Sequence, residues 1–294
     1  MREPLDPDLI RAALVTSGQP WRAVEFHPSM GSTNSRATQV IRSWGAGGGA
    51  VSADSPRPYA AGLAPDDGPL WRVVLTDDQT GGRGRLGRSW DVPARASVAV
   101  SAIVPAPREP AWVPLLAGVA LARAIGSVTA AGGLRLEARL KWPNDVLLPA
   151  DGDRKVAGIL CEFTEGPGVR AVVVGTGVNV DQTRDELPVE TATSLRLAGA
   201  DVRREDLVIA YLTELAEVLD SGPQGRAEYR SACSTIGEHV RVHLPSGGIA
   251  EGRAVRVDDS GALVVDVAGG EQPFSAGDVV HVRPRGGVAG MIGP

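Results

Sequence analysis

Apolar positions recur with helical spacing in some stretches of the chain and with a period of two in others. Leu9, Ile10, Ala13 and Leu14 share one helical face near the N-terminus. Ala37 to Trp44 predicts a second helix, entered from Ser32-Thr33-Asn34, residue types whose side-chain oxygens cap a first turn. Leu115, Leu116 and Val119 place a third helix over Trp112 to Ile125, with Pro114 tolerable in its first turn, and Leu207, Tyr211, Leu215 and Val218 a fourth. Strands are expected at Trp71 to Thr76 and at Ser97 to Val104, where Val98, Val100, Ala102 and Val104 alternate with Ser97, Ala99, Ser101 and Ile103. Leu134, Leu136, Ala138 and Leu140 alternate with Arg135, Glu137, Arg139 and Lys141, the pattern of a strand with one charged face. Val156 to Phe163 and Ala171 to Val178 are continuous apolar runs suited to buried strands. Strands and helices thus interleave through one large domain.

The texture changes near Ile236. Val240, Val242 and Leu244 alternate with His239, Arg241 and His243, and Gly252 to Val257, Ala262 to Val267 and Val279 to Val282 follow, separated by Gly-, Ser- and Asp-rich turns. This predicts a small all-β barrel. The organisation is therefore an N-terminal extension at 1–21, a large domain at 22–234, a barrel at 235–285 and a tail at 286–294. Within the large domain, 45–69 is rich in Gly, Ala and Pro and reads as a mobile surface loop.

Composition narrows the picture. With 294 residues and 43% apolar content the chain can bury a sizeable core, and it carries 37 glycines and 22 prolines, which suit long loops. No apolar run approaches the roughly 18 residues that span a bilayer, and the N-terminus mixes acids and prolines unlike a secretory signal, so the expected place is the cytoplasm, with no membrane partner. Cys161 and Cys233 are isolated, which indicates neither a disulfide framework nor a zinc site. A net charge of −5 argues against general nucleic-acid binding, though not against a local phosphate grip. Of the 30 basic residues only Lys141 and Lys155 are lysine, so wherever lysine persists the reason is worth seeking.

Four segments carry candidate chemistry. Gln79 to Trp90 reads QTGGRGRLGRSW, with three arginines, four glycines and no acid directly after a strand. Glycines let the backbone wrap a ligand, and guanidinium groups pair with phosphate or carboxylate oxygens; the alternative is a solvated basic turn. Lys141-Trp142-Pro143-Asn144-Asp145 is either an ordinary strand exit or a polar pair placed beside an aromatic face for a metal or ribose. Arg154-Lys155-Val156-Ala157-Gly158-Ile159-Leu160-Cys161-Glu162 puts an ammonium at a sheet end, where a compact point charge can meet a phosphate; the alternative is a surface lysine. Gly175-Thr176-Gly177-Val178-Asn179 offers small residues that let a ligand approach the backbone, with Asn179 able to read a base edge, or a plain strand-to-loop turn. A Walker-type phosphate loop, a nucleophile elbow and a zinc-binding H-E-x-x-H helix are missing from the sequence. His239 and His243 share a strand face that is expected to look to solvent.

These segments, in this order and preceded by Ser32-Thr33-Asn34, resemble the biotin protein ligases, whose pattern runs S-T-N, Q-x-x-G-R-G-R-x-G-R, K-W-P-N-D, K-x-x-G-I-L-x-E and G-x-G-x-N. The resemblance spans residues from about 29 to 181. It implies an α+β fold in which a mixed sheet with flanking helices, of the class II synthetase-like biotin/lipoate ligase type, is followed by an SH3-like barrel. It also implies activation of biotin by ATP to biotinyl-5'-adenylate and transfer to a lysine of the biotin carboxyl carrier protein of acyl-CoA carboxylases, with Mg2+ as activator. Carried over by position, Ser32, Thr33, Asn34, Gln79 and Trp90 line the biotin site, and Arg83, Gly84, Arg85 and Arg88 form the loop that closes over the adenylate. Lys155 neutralises charge at the acyl phosphate, with Arg85 and Asp145 beside it as catalytic candidates. Asn144 and Asn179 face the nucleotide, and Asp145 is the candidate for Mg2+. Some members of the family carry an N-terminal DNA-binding domain; 21 residues ahead of the large domain are too few for one, so DNA is not an expected partner.

Overall fold

The computed structural model describes residues 2–44, 68–244, 247–275 and 277–281. The loop expected at 45–69 lies outside the described residues apart from Gly68 and Pro69, as do the tail at 286–294 and the last four residues expected of the barrel. The large domain runs α1 (Pro7–Leu14), β1 (Ala23–His27), α2 (Thr33–Ser43), β2 (Arg72–Thr76), β3 (Ser97–Pro105), α3 (Val113–Ala131), β4 (Arg139–Lys141), β5 (Asp145–Leu148), β6 (Arg154–Gly166), β7 (Val169–Asn179), α4 (Arg204–Asp220) and α5 (Pro223–Ala232). Its strands form one mixed sheet in the order β1-β2-β3-β7-β6-β5-β4, with β1 parallel to β2 and every other pair antiparallel.

The sheet is covered on both faces, which is why its central strands read as continuous apolar runs. On β3, Val98, Val100, Ala102 and Val104 turn to the main core with α3 and α4, whereas Ile103 joins Val74, Ala171 and Val173 in a smaller core under Ala37 and Ile41 of α2. The α3 helix is apolar almost all round because it is enclosed: Leu115, Ala117, Val119, Ala120, Leu121, Ala124 and Ile125 are all buried. With the short turn before it, Pro110–Ala131 has the length and composition of a membrane span, yet 67% of its most apolar window is buried within the fold, as for a core helix.

One correction to the pattern reading has a physical cause. The strand expected from Leu134 to Lys141 is formed only over Arg139–Lys141. Ahead of it the chain folds back on the end of α3: the Leu134 amide donates to the Thr129 carbonyl at 3.0 Å and the Leu136 amide to Thr129 Oγ1 at 2.9 Å, so alternation there belongs to an extended connector. Residues 2–21 pack against the large domain, with Leu5, Ile10, Leu14 and Trp21 buried in the main core. Asp6 caps α1 by accepting from the amides of Asp8 and Leu9, and the Asp6 amide in turn donates to Glu205.

Behind the large domain, β8 (His239–His243), β9 (Ile249–Val257), β10 (Leu263–Val267), β11 (Gly270–Phe274) and β12 (Asp278–His281) make an antiparallel five-stranded SH3-like unit in the order β11-β10-β9-β8-β12. His239 and His243 are exposed, as the alternation implies. The β9–β10 turn docks this unit onto the large domain. Trp112 Nε1 donates to the Asp259 carbonyl at 2.8 Å, Trp142 Nε1 to that of Gly261 at 3.1 Å, and the guanidinium groups of Arg226 and Arg230 lie over the Trp112 ring. The barrel is thereby fixed with β12 facing the opening of the larger domain.

Candidate active site

An open cleft of about 1490 Å³ lies on the α2 side of the sheet, next to the N-terminus of that helix, and the barrel forms part of its rim. Every residue that the sequence nominated for the site lines it: Ser32, Thr33, Asn34, Gln79, Arg83, Gly84, Arg85, Arg88, Trp90, Asn144, Asp145, Lys155 and Asn179.

One end is built by α2. Ser32 caps the helix, and both the amide and the hydroxyl of Thr33 donate to Gln79 Oε1, at 3.0 and 3.1 Å. Asn34 is held from several sides: its amide nitrogen donates to the Leu160 carbonyl at 3.1 Å and to Glu162 Oε2 at 2.7 Å, and its oxygen accepts from Ser101 Oγ at 2.6 Å. Ser101 also lies 2.7 Å from Thr33 Oγ1. Ser101 and Glu162 were missed as site residues. Glu162 had a signal, the acid that closes the K-x-x-G-I-L-x-E segment, whereas Ser101 is simply one polar residue on a strand.

The floor is made by glycines. Gly158 on β6 and Gly177 on β7 are paired across the sheet, and the indole of Trp90 lies on them: a Cβ on Gly177 would come 2.7 Å from the ring, and one on Gly158 would come 3.3 Å from it. Gly175 does the same for Asn34, whose Oδ1 would be 2.0 Å from an added Cβ. The small residues of the G-x-G segment thus admit the protein's own Asn34 and Trp90, rather than only a ligand, to the backbone. Among the described residues Trp90 Nε1 is buried against the Gly177 backbone without a hydrogen-bond partner.

Charge collects at the other end. Lys155 Nζ is 2.6 Å from Asp145 Oδ1 and 5.5 Å from the centre of the Trp90 ring. Asp145 follows the turn that joins β4 to β5, where it pairs with Lys141. Asn144 Nδ2 donates to the Ile159 carbonyl at 2.8 Å, while its oxygen accepts from Arg85 at 3.3 Å. Arg85 also donates to the Gly277 carbonyl at 3.0 Å, and Arg88 forms a 2.7 Å ion pair with Asp278, so the glycine-arginine loop rests on the barrel. Burial, aided by the neighbouring Arg88, holds the Arg85 pKa below its ordinary value against the opposing pull of Asp278 and Asp145; a guanidinium stays cationic throughout. Arg83, half exposed, instead reaches the α2 end, where it donates to Ser35 Oγ at 3.0 Å and lies 3.6 Å from Glu162. Asn179 donates to the Thr193 carbonyl and accepts from Gln182, each at 2.9 Å. Among the described residues no group of three or more His, Cys, Asp or Glu side chains is arranged to hold a metal. The barrel contacts through Gly277 and Asp278 carried no sequence signal, because residues 85 and 88 meet 277 and 278 only through docking of the second unit.

A protein from Mycobacterium tuberculosis named biotin--[acetyl-CoA-carboxylase] ligase is 36% identical to this chain over 291 residues, covering 96% of this chain and 98% of that protein. The chain belongs to the biotin protein ligase family. Profiles of the Biotin/lipoate A/B protein ligase family and of the Biotin protein ligase C terminal domain match residues 69–179 and 235–282. A biotin--[acetyl-CoA-carboxylase] ligase of Paracoccus denitrificans is 35% identical, covering 77% of this chain and 96% of its own length. The fold is that of solved ligases as well: the Aquifex aeolicus biotin protein ligase, in a complex with biotin and ATP, superposes with a TM-score of 0.67 at 23% identity, covering 90% of this chain and all of that one.

Proposed function

We propose that this protein joins biotin to ATP as biotinyl-5'-adenylate and then transfers the biotinyl group to a lysine of a biotin carboxyl carrier protein belonging to an acyl-CoA carboxylase, acting in the cytoplasm. The observation that carries this reading is convergence: segments from Ser32 to Asn179 line one cleft in which a polar and aromatic end meets a cationic end. Such a division suits a neutral ring with a carboxylate tail next to a triphosphate.

In the first step a biotin carboxylate oxygen attacks the α-phosphorus of ATP and the bond to pyrophosphate breaks, its electron pair leaving with the pyrophosphate. Negative charge gathers on the phosphoryl oxygens, where Lys155 acts as a compact cation and Arg83, Arg85 and Arg88 as planar ones. Trp90, laid on Gly158 and Gly177, walls the cleft. Closure of the loop against Gly277 and Asp278 excludes water from a mixed anhydride that water would destroy. In the second step the carrier lysine amine attacks the acyl carbon, the bond to the phosphate oxygen breaks, AMP leaves, and the amine loses a proton. Asp145 is the carboxylate beside Lys155 able to receive one.

Mg2+ is commonly held by one or two carboxylates together with substrate phosphates and waters. The carboxylate of Asp145 fits an ion that arrives with ATP, which would neutralise phosphate charge, and among the described residues no group of three or more ligating side chains offers a resident metal cage. Exchange of labelled pyrophosphate into ATP tests the first step: it is expected to require biotin and Mg2+ and to fail when lipoate or octanoate replaces biotin. Lack of exchange at saturating biotin and ATP overturns the reading.

A further inference from the structure

Lys155 is held in place by a structure outside the family motifs. The turn between β5 and β6 passes through Asp151, Gly152 and Asp153, of which Gly152 and Asp153 both have positive φ, at 69° and 56°. This turn aims the Asp151 carboxylate, still partly exposed, towards the segment 190–193. Asp151 Oδ2 accepts from Thr193 Oγ1 at 2.5 Å and from Arg184 at 3.0 Å, and Oδ1 accepts from Arg154 at 2.9 Å. Arg184 and Arg154 each reach on to the same segment, at the carbonyls of Ala192 and Glu190. The segment in turn brackets the backbone of Lys155: the Lys155 amide donates to the Thr191 carbonyl and the Thr193 amide to the Lys155 carbonyl, both at 2.8 Å. From its other side, the Thr193 carbonyl accepts from Asn179 Nδ2.

We infer that Asp151 is a positioning residue of the ligase: its carboxylate clamps 190–193 onto β6 and so fixes both Lys155 and Asn179 at the nucleotide end of the cleft. Several features favour this over a plain surface ion pair. Thr193 is fully buried, its hydroxyl donates to the carboxylate, and Asp151 unites two arginines whose remaining donors go to one short segment. A carboxylate that serves three donors at once loses most of its function on becoming an amide, since Asn offers one acceptor oxygen and no charge. Asp151 itself does not line the cleft, so its influence passes through the segment it holds, where Thr191 and Ala192 line the cleft, and through Lys155 and Asn179. The biotin end, built from α2, Gln79 and Trp90, shares no hydrogen bond with the clamp.

The inference rests on the proposed ligase reaction, and its test separates the two. In the wild-type protein, biotin-dependent pyrophosphate exchange and biotin affinity by calorimetry are measured first; absence of exchange there is a failure of the reaction, not of the clamp. With exchange established, Asp151→Asn is expected to lower kcat by about tenfold to a hundredfold, the scale on which small misplacement of a reacting group acts, while the Kd for biotin stays within twofold. Thr193→Val is expected to lower kcat in the same direction, and Thr193→Ser, which keeps the hydroxyl, to restore most of the rate. The Thr193 pair decides the matter if Asp151→Asn proves too unstable to purify. Unchanged kcat in Asp151→Asn, biotin affinity falling together with kcat, or equal losses in Thr193→Val and Thr193→Ser each overturn the clamp.

Discussion

Lysine at position 155 is a choice against the grain of a chain that places arginine almost everywhere else, and its surroundings give the reason. Its Nζ sits 2.6 Å from Asp145 and over the Trp90 ring, with the Cβ position of Gly158 only 3.2 Å away. A guanidinium is broader and planar and has no room to lie between the carboxylate and the indole without turning its fork away from the phosphates. Lys155→Arg is therefore expected to keep the charge and lose at least about tenfold in the rate of adenylate formation, with biotin affinity little altered. Single-turnover formation of biotinyl-adenylate measures this, and a near-normal rate would refute the role. Other residue-scale features were silent in the sequence. Ser101 and Glu162 hold Asn34 from strands that lie next to each other only in the sheet, and a serine on an apolar strand gives no hint of which side chain it will meet.

At the scale of elements, the strands beneath the site are tuned by glycine on one face. Gly175 and Gly177 lie on the cleft side of β7, while Thr176 between them turns to the opposite core and hydrogen-bonds the buried Tyr211 hydroxyl at 2.7 Å. Gly175→Ala drives a methyl into the side chain of Asn34 and should destabilise the fold by about 1–3 kcal/mol, the usual cost of overpacking. Because Asn34 is in the first turn of α2, the same substitution should also raise the KM for biotin; thermal melting and steady-state kinetics read the two effects, and a variant with wild-type melting and KM would contradict them. The period-two and helical patterns located most of the elements that build the sheet and its helices. They passed over β1, β5, α5 and β11. Each is short or lacks a marked apolar period: β5 has four residues, and α5 buries only Gly225 and Tyr229. The opposite error, at Leu134 to Ala138, came from an extended connector that mimics a strand until its amides are seen to bond to Thr129.

In the whole molecule, the chain's first residues tie distant parts of the large domain together. Arg204 and Asp77 form a buried 2.7 Å pair; Asp77 also accepts from the Leu5 amide, and Arg204 donates to the Glu3 carbonyl. Arg2 reaches the loop after β7, pairing with Asp181 at 2.8 Å and Glu186 at 2.6 Å. Its hydrogen bond holds the Glu186 carboxyl down to about 2, well below the 4.5 of an ordinary glutamate, and the Asp181 carboxyl is lowered as well by Arg2 and Arg196 despite the opposing effect of burial. A carboxylate with a depressed folded pKa contributes stability that is complete above its unfolded value and is lost as pH falls through the folded one. The stability gap between wild type and Arg2→Ala is accordingly expected to be widest at neutral pH and to close between pH 4.5 and about 2. Urea titrations across that range measure it, and a gap independent of pH would rule the linkage out.

The sequence by itself determined the chemistry and the family. The ordered motifs single out the cationic loop, the lysine, the tryptophan and the polar residues of α2 as candidates, because residue type and local backbone can be read from neighbours. Composition and apolar period likewise set two units, one of interleaved helices and strands and one all-β. Only the tertiary structure decided how these parts act on one another. It laid Trp90 on a glycine floor made by two separate strands, set Arg85 and Arg88 against a barrel nearly 200 residues later in the chain, as the 192-residue separation of Arg85 from Gly277 shows, and clamped Lys155 through Asp151. Such contacts join residues far apart in sequence, and their energy depends on packing and on distances of a few ångströms, for which a one-dimensional pattern has no counterpart.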